Sequence, residues 1–153
     1  MMKTISGLIL FLLILQGTGF ATFTSHSDGT ISDSKTQLMW MNKTADINND
    51  GSLDDTDKTS WVDAIHYCET LEFAGYSDWR MPNVKEISLI SDKNESQPSV
   101  PPCFDGVIAG YYWSSTTLIS NTQVAWFINL YAGQLDTTTK DFEWNVIAVR
   151  GGQ

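Results

Sequence analysis

Twelve residues, Asp46 to Asp57, read DINNDGSLDDTD and hold five aspartates. Carboxylates packed this closely repel one another, so the segment is either an acidic insertion spread out in solvent or a loop folded around a positive charge. The spacing favours the second. Set against the calcium-loop pattern D-x-[DN]-x-[DN]-G-x5-E, the residues Asp46, Asn48, Asp50 and Gly51 coincide, and Asp57 stands where the pattern has glutamate. Oxygens at the first, third and fifth places converge on one point, and glycine permits the sharp turn. The carbonyl of Ser52 can face inward at the seventh place, Leu53 supplies an apolar anchor, and Asp54 can hold a water. The predicted ligand set is therefore Asp46, Asn48, Asp50, Ser52, Asp54 and Asp57, and the predicted ion is calcium. Aspartate reaches less far than glutamate, so the expected affinity is weak, about 10⁻⁴ to 10⁻³ M. No helix of usual length precedes Asp46, which makes residues 46–57 an EF-hand-like loop rather than half of a paired EF-hand.

The start of the chain sets the compartment. Lys3 precedes an apolar run from Leu8 to Leu15, and small residues follow at Gly19 and Ala21. This arrangement predicts a secretory signal peptide over residues 1–21, with an apolar run too short to span a bilayer. No second run of membrane length follows, so no stable membrane insertion is expected once it is removed. Residues 22–153 suffice for a single domain, expected to be secreted, periplasmic or at the cell surface. Residues 1–21 carry Lys3 and no acid, so their loss moves the net charge from −9 to −10. Such a surface repels nucleic acid, sulfated polysaccharide and anionic lipid, and leaves cations, neutral glycans and other proteins as partners. Two cysteines, Cys68 and Cys103, fold under oxidising conditions. One disulfide closing about 35 residues, worth about 3–4 kcal/mol, is the economical reading, with a buried free thiol at Cys68 as the alternative.

Further along, Leu38 to Met41 reads as a short early strand. Trp61, Ala64, Ile65, Cys68 and Leu71 recur at helical spacing, with Asp63, His66 and Glu69 on the other side and Ser60 as N-cap. A second helix is predicted from Val84 to about Ser91, capped by Asn83 with Glu86 completing a capping box. Beyond Pro98, Pro101 and Pro102 the pattern turns to strands: Tyr111 to Ser115, Val124 to Tyr131, Leu135 to Thr139 and Trp144 to Arg150. In the second of these, Val124, Trp126, Ile128 and Leu130 share the inward face. The predicted class is α+β, with two helices packed on an antiparallel sheet and long loops.

Several stretches in order, TQLMWM (36–41), WVDAIHYCETLEFAGYSDWRMPNVKEISLI (61–90), YYWSST (111–116), AWFINLYAGQL and the closing VRGG, carry a family resemblance. Residues 22–153 resemble the domain family named after the C-terminal domain of the Legionella collagen-like protein, a bacterial group of mostly unknown function. The resemblance implies a C-type-lectin-like fold and a place in the bacterial envelope, since Trp79-Arg80-Met81-Pro82-Asn83 and Arg150-Gly151-Gly152 also look like elements of formylglycine-generating enzymes. Family members often carry a cysteine just before the final Val-Arg, where this chain has Ala148. The resemblance thus leaves Cys103 as the candidate partner of Cys68.

Six tryptophans invite the thought of sugar stacking, because an aromatic face complements the apolar face of a pyranose. Trp40, Trp61, Trp79, Trp113 and Trp126 are expected in the core. Trp144, beside Asp141 and Glu143, is the expected ligand contact. Trp113-Ser114-Ser115-Thr116 lacks a G-x-S-x-G elbow, and neither His26 nor His66 has metal-ligand spacing. Arg80 and Glu86 are expected to form an ion pair or a cap, and Asp78 to cap a turn. The sequence therefore points to a non-catalytic recognition or adhesion module for a glycan or protein surface, stabilised by calcium. Two other readings are a structural envelope subunit that acts as a homo-oligomer, and an enzyme on envelope glycans using Asp141 and Glu143.

Overall fold

Runs with a period of two give strands, and apolar residues recurring every three or four positions give helices. The computed structural model describes residues 23–151. The signal peptide expected over residues 1–21 lies outside the described residues. Strands β1 (Phe23–Ser25), β2 (Thr30–Asp33) and β3 (Leu38–Met41) come first, followed by a 3-10 turn at Asp55–Asp57. Helices α1 (Trp61–Thr70) and α2 (Val84–Leu89) follow, then β4 (Tyr111–Leu118), β5 (Asn121–Asn129), β6 (Gln134–Thr139) and β7 (Val149–Gly151). No helix among the described residues is long and apolar enough to cross a membrane.

The architecture is α+β with two helices, as expected, but the strands divide between two antiparallel sheets, ordered β1-β2-β3-β7 and β4-β5-β6. The expected last strand of the meander is the reason. Only its end, β7, is regular, and it pairs with β3 of the other sheet, Leu38 opposite Gly151 and Trp40 opposite Val149. Val146, Ile147, Ala148 and Val149 form an unbroken apolar run, all fully buried. A run without alternation needs cover on every side, which an edge of β4-β5-β6 would not give.

Each helix is set by its own cap. The Ser60 hydroxyl accepts from the Asp63 N–H at the start of α1, whose Ala64 and Cys68 are fully buried while Asp63, His66 and Glu69 stay exposed. At α2 the Asn83 carboxamide oxygen accepts from the N–H groups of Lys85 and Glu86 at 2.9 Å. Glu86 accepts in return from the Asn83 N–H at 2.8 Å. The same carboxylate receives both guanidinium nitrogens of Arg80, at 2.7 and 2.8 Å, and Arg80 reaches on to the Gly151 carbonyl at 3.1 Å. The expected pair and the expected cap are thus one network joining α2 to β7. Asp78 pairs across the fold: its carboxylate takes two bonds from Arg150, whose guanidinium also lies 3.8 Å over the Tyr76 ring, and it caps no helix among the described residues. Trp40, Trp79 and Trp113 enter the core with Phe104, Tyr112 and Ile128, and Trp61 packs against it half-buried. Of the stripe expected to face inward, Ile128 and Leu130 are buried but Val124 and Trp126 are only half-buried, while Ala125 and Phe127 of the alternate positions are buried as well.

Cys68 and Cys103 are free thiols here, so the expected disulfide is not formed. Cys68 sits inside the apolar stripe of α1 and acts as a small hydrophobe, while Cys103 is half-buried in the proline-rich connection. Burial pushes the Cys68 thiol up to about 12, with the Glu69 charge adding to it. Iodoacetamide is expected to label Cys103 in the folded protein and both cysteines only after unfolding without reductant. Two protected sulfurs in non-reducing denaturant would restore the bridge.

Burial alone would raise the Glu86 carboxyl, but Arg80 and the Asn83 N–H outweigh it and hold it below its ordinary value of 4.5. Its contribution to stability is therefore present above about pH 4.5 and lost as pH falls through the lower folded value. Urea midpoints followed from neutral pH into the carboxylate range should fall less steeply for Glu86→Gln than for the parent. Parallel profiles would show that the pair adds no pH-dependent stability.

Candidate functional site

Cross-strand register builds the first feature. Tyr111, Asn129 and Gln134 lie opposite one another across β4, β5 and β6, and Trp113, Phe127 and Asp136 form the next row. Rows two residues apart share one face of a sheet. The other face carries Tyr112 and Ile128 into the core. The segment from Phe142 leads to Asn145, which bridges the free edge of β4 at Tyr112, and Trp144 lands among the rings of the first face. Its centroid is 4.6 Å from Tyr111, 5.8 Å from Phe127 and 5.5 Å from Phe142, the last pair stacked. Tyr131 meets Tyr111 edge-on at 5.8 Å. Phe142, Trp144, Tyr111 and Tyr131 thus run as a chain of contacting rings, half-exposed at both ends.

Beside this chain opens a cleft of about 350 Å³, lined by Tyr111, Phe127, Trp144, Asn129, Gln134, Leu135 and Asp136. Its polar edge is available to a ligand. The Asn129 carboxamide oxygen accepts from the Tyr131 N–H at 2.9 Å, while its amide nitrogen makes no hydrogen bond among the described residues. One Asp136 oxygen accepts from the Thr137 N–H, and no cation among the described residues pairs with this carboxylate. Trp144 is fixed through its backbone, which exchanges two 3.0 Å hydrogen bonds with Thr59. The Thr59 carbonyl also accepts from the Trp113 indole at 2.9 Å. The buried Trp144 Nε1 has no partner among the described residues. Asp141 and Glu143 are exposed, and Asp141 accepts from the Thr139 hydroxyl.

The second feature is the acidic loop. The Asp46 carboxylate accepts from the N–H groups of Asp50 and Gly51, Asn48 accepts from the Asp50 N–H, and Asp50 accepts from the Ser52 N–H. The tight turn falls where the pattern places it, with Gly51 at φ +84°. Asp54 caps the 3-10 turn through the Thr56 N–H and hydroxyl. Asp57 is fully buried and clasps the loop shut, accepting from the Ile47 N–H at 2.8 Å and the Asp54 N–H at 3.0 Å. Among the described residues no three acidic, histidine or cysteine side chains gather around one point, so backbone N–H groups take up the carboxylate oxygens. The donor set is oxygen-rich, as a hard cation requires, and the buried Asp57 charge faces no cationic side chain among the described residues.

Sequence reasoning singled out Trp144 but missed Tyr111, Phe127, Asn129, Gln134 and Asp136 as its companions. Their shared face depends on the register of three strands, which a single run of residues does not display. An α+β domain with an aromatic cleft and a folded acidic turn is the class the structure defines. The chain belongs to the Lcl C-terminal domain family, whose profile matches residues 29–150, from the turn before β2 to β7. No curated protein matches the chain.

Proposed function

We propose that this is a non-catalytic recognition module of the bacterial envelope or cell surface, engaging a glycan or protein surface through the Trp144 cleft. One observation carries the reading: a half-exposed run of aromatic rings faces amide and carboxylate groups that no protein partner satisfies fully. The motifs around Trp79 to Asn83 and at Arg150, together with the two helices and two antiparallel sheets, support a C-type-lectin-like scaffold. The acidic loop is the proposed calcium site, supported by its oxygen-only donors, its turn at Gly51 and the buried Asp57 carboxylate, which pairs with no cationic side chain among the described residues. Asp57 and Thr59 lie two residues apart, so an ion that fixes the loop also steadies the backbone bridge between Thr59 and Trp144.

Calcium at ten to a hundred times its dissociation constant should stabilise the domain by about 1–3 kcal/mol over chelator. The melting temperature then rises by several degrees, and Asp46→Asn with Asp50→Asn abolishes the rise. Identical melts with calcium and with chelator would remove the ion from the proposal. The recognition role is tested separately. Fluorescently labelled mature protein should be retained on intact bacterial cells or isolated envelope material, and a domain that washes off every such surface is not a recognition module.

A further inference from the structure

We infer that the cleft takes an uncharged pyranose of a glycan. This rests on the recognition reading above and narrows it to one ligand class. The half-buried rings of Trp144 and Tyr111, tilted 43° to one another with centroids 4.6 Å apart, offer apolar surface on which the C–H face of a sugar ring packs. In the same cleft, Asn129, Gln134 and Asp136 present planar amide and carboxylate groups from two adjacent cross-strand rows. Amides both donate and accept while a carboxylate accepts twice, the pairing that neighbouring ring hydroxyls require. The cleft, at about 350 Å³, lies at the small end of ligand pockets, which suits one or a few sugar units rather than a protein surface.

Charge and ring geometry exclude the competitors. The lining holds the Asp136 carboxylate and no lysine, arginine or histidine, in a chain of net charge −9, so sulfated, carboxylated or phosphorylated ligands are repelled. A quaternary ammonium ion wants rings set around it with their faces open. Here Tyr111, Phe127 and Trp144 pack on one another with centroids 4.6 to 5.8 Å apart and make a single wall. A second copy docking on the same face would bring Asp136 and the excess negative charge of both chains together. The exposed rings of Tyr131 and Phe142, at the two ends of the wall, give a longer glycan surface to follow beyond the cleft.

The test is a titration of the isotope-labelled mature protein with N-acetylchitotriose, cellotriose and maltotriose, with a heparin hexasaccharide and phosphocholine as charged controls. At least one uncharged trisaccharide should shift the Trp144 indole and the Asn129 and Gln134 side-chain amides in the NMR spectrum. Trp144→Ala should weaken that binding at least tenfold. Since Trp144 is part of the packing, Gln134→Ala and Asp136→Ala serve as the second arm. Both residues are exposed, and each change should weaken binding about tenfold at unchanged melting temperature. The inference is overturned if none of the uncharged sugars moves a cleft resonance, if only a charged probe does, or if the two exposed substitutions leave the affinity untouched. Retention on envelope material that persists while these sugars fail would overturn the glycan assignment alone and leave the recognition role standing.

Discussion

The eight residues from Trp144 to Gly151 hold the two sheets, the acidic loop and the second helix in one frame. Asn145 exchanges backbone hydrogen bonds with Tyr111 and Trp113 of β4, and Val146 and Ala148 accept from Ala45 and Met41 at the exit of β3. Val149 exchanges a pair of 2.9 Å bonds with Arg80 ahead of α2. A single extended segment thus satisfies backbone groups from four separate parts of the chain, groups whose burial without partners would be costly. Its packing is correspondingly tight. The Asn145 amide nitrogen lies where a side chain on Gly110 would begin, 2.3 Å from a Cβ built there, so glycine is the residue the approach permits.

The same segment explains why the two candidate features belong together. Trp144 opens it and is bonded in both directions to Thr59, which leaves the acidic loop two residues after Asp57. The Thr59 carbonyl serves Trp144 and Trp113 at once, so the loop exit is anchored to the aromatic face of the β4-β5-β6 sheet. At its entrance the loop is pinned by the Ala45 N–H on the Val146 carbonyl. Both ends of the loop are therefore tied by backbone hydrogen bonds to the closing segment, and the twelve residues between them are shaped by carboxylate bonds. Cation–π contact between Lys140 and Trp61, at 3.7 Å, closes the corner between α1 and the connection leading to Trp144.

Local signals were legible and long-range ones were not. The caps at Ser60 and Asn83, the capping box at Glu86 and the early strand at Leu38 each depend on residues within a turn of one another, and the structure places all of them as the sequence indicates. The tail was misread because Val146 to Val149 has the composition of a strand, and composition does not say which sheet it enters. β1 and β2 escaped notice because Phe23–Ser25 and Thr30–Asp33 are short and mostly polar, held by pairing, β1 on β2 and β2 on β3, rather than by propensity. For the cleft, the sequence exposed one member, Trp144, through its acidic neighbours. The remaining members became neighbours only through the register of β4, β5 and β6.

Where the chain leaves local rules unsatisfied is itself informative. A buried indole N–H without an acceptor costs about 1–3 kcal/mol, and among the described residues Trp40 carries one in the core and Trp144 another beside the cleft. Exposed apolar surface gathers in the same place: Tyr131, Leu135 and Phe142 surround the cleft, whereas Val62, Tyr76, Leu89 and Ile119 stand elsewhere. A patch of this kind on an acidic domain would drive self-association if hydrophobic area alone decided the matter. Two copies meeting there, however, would each bring a net charge of −9 and an unpaired Asp136 to the contact. The excess of aspartate, which began as the puzzle of one loop, thus acts over the whole surface. A second copy meeting this face is therefore opposed by like charge.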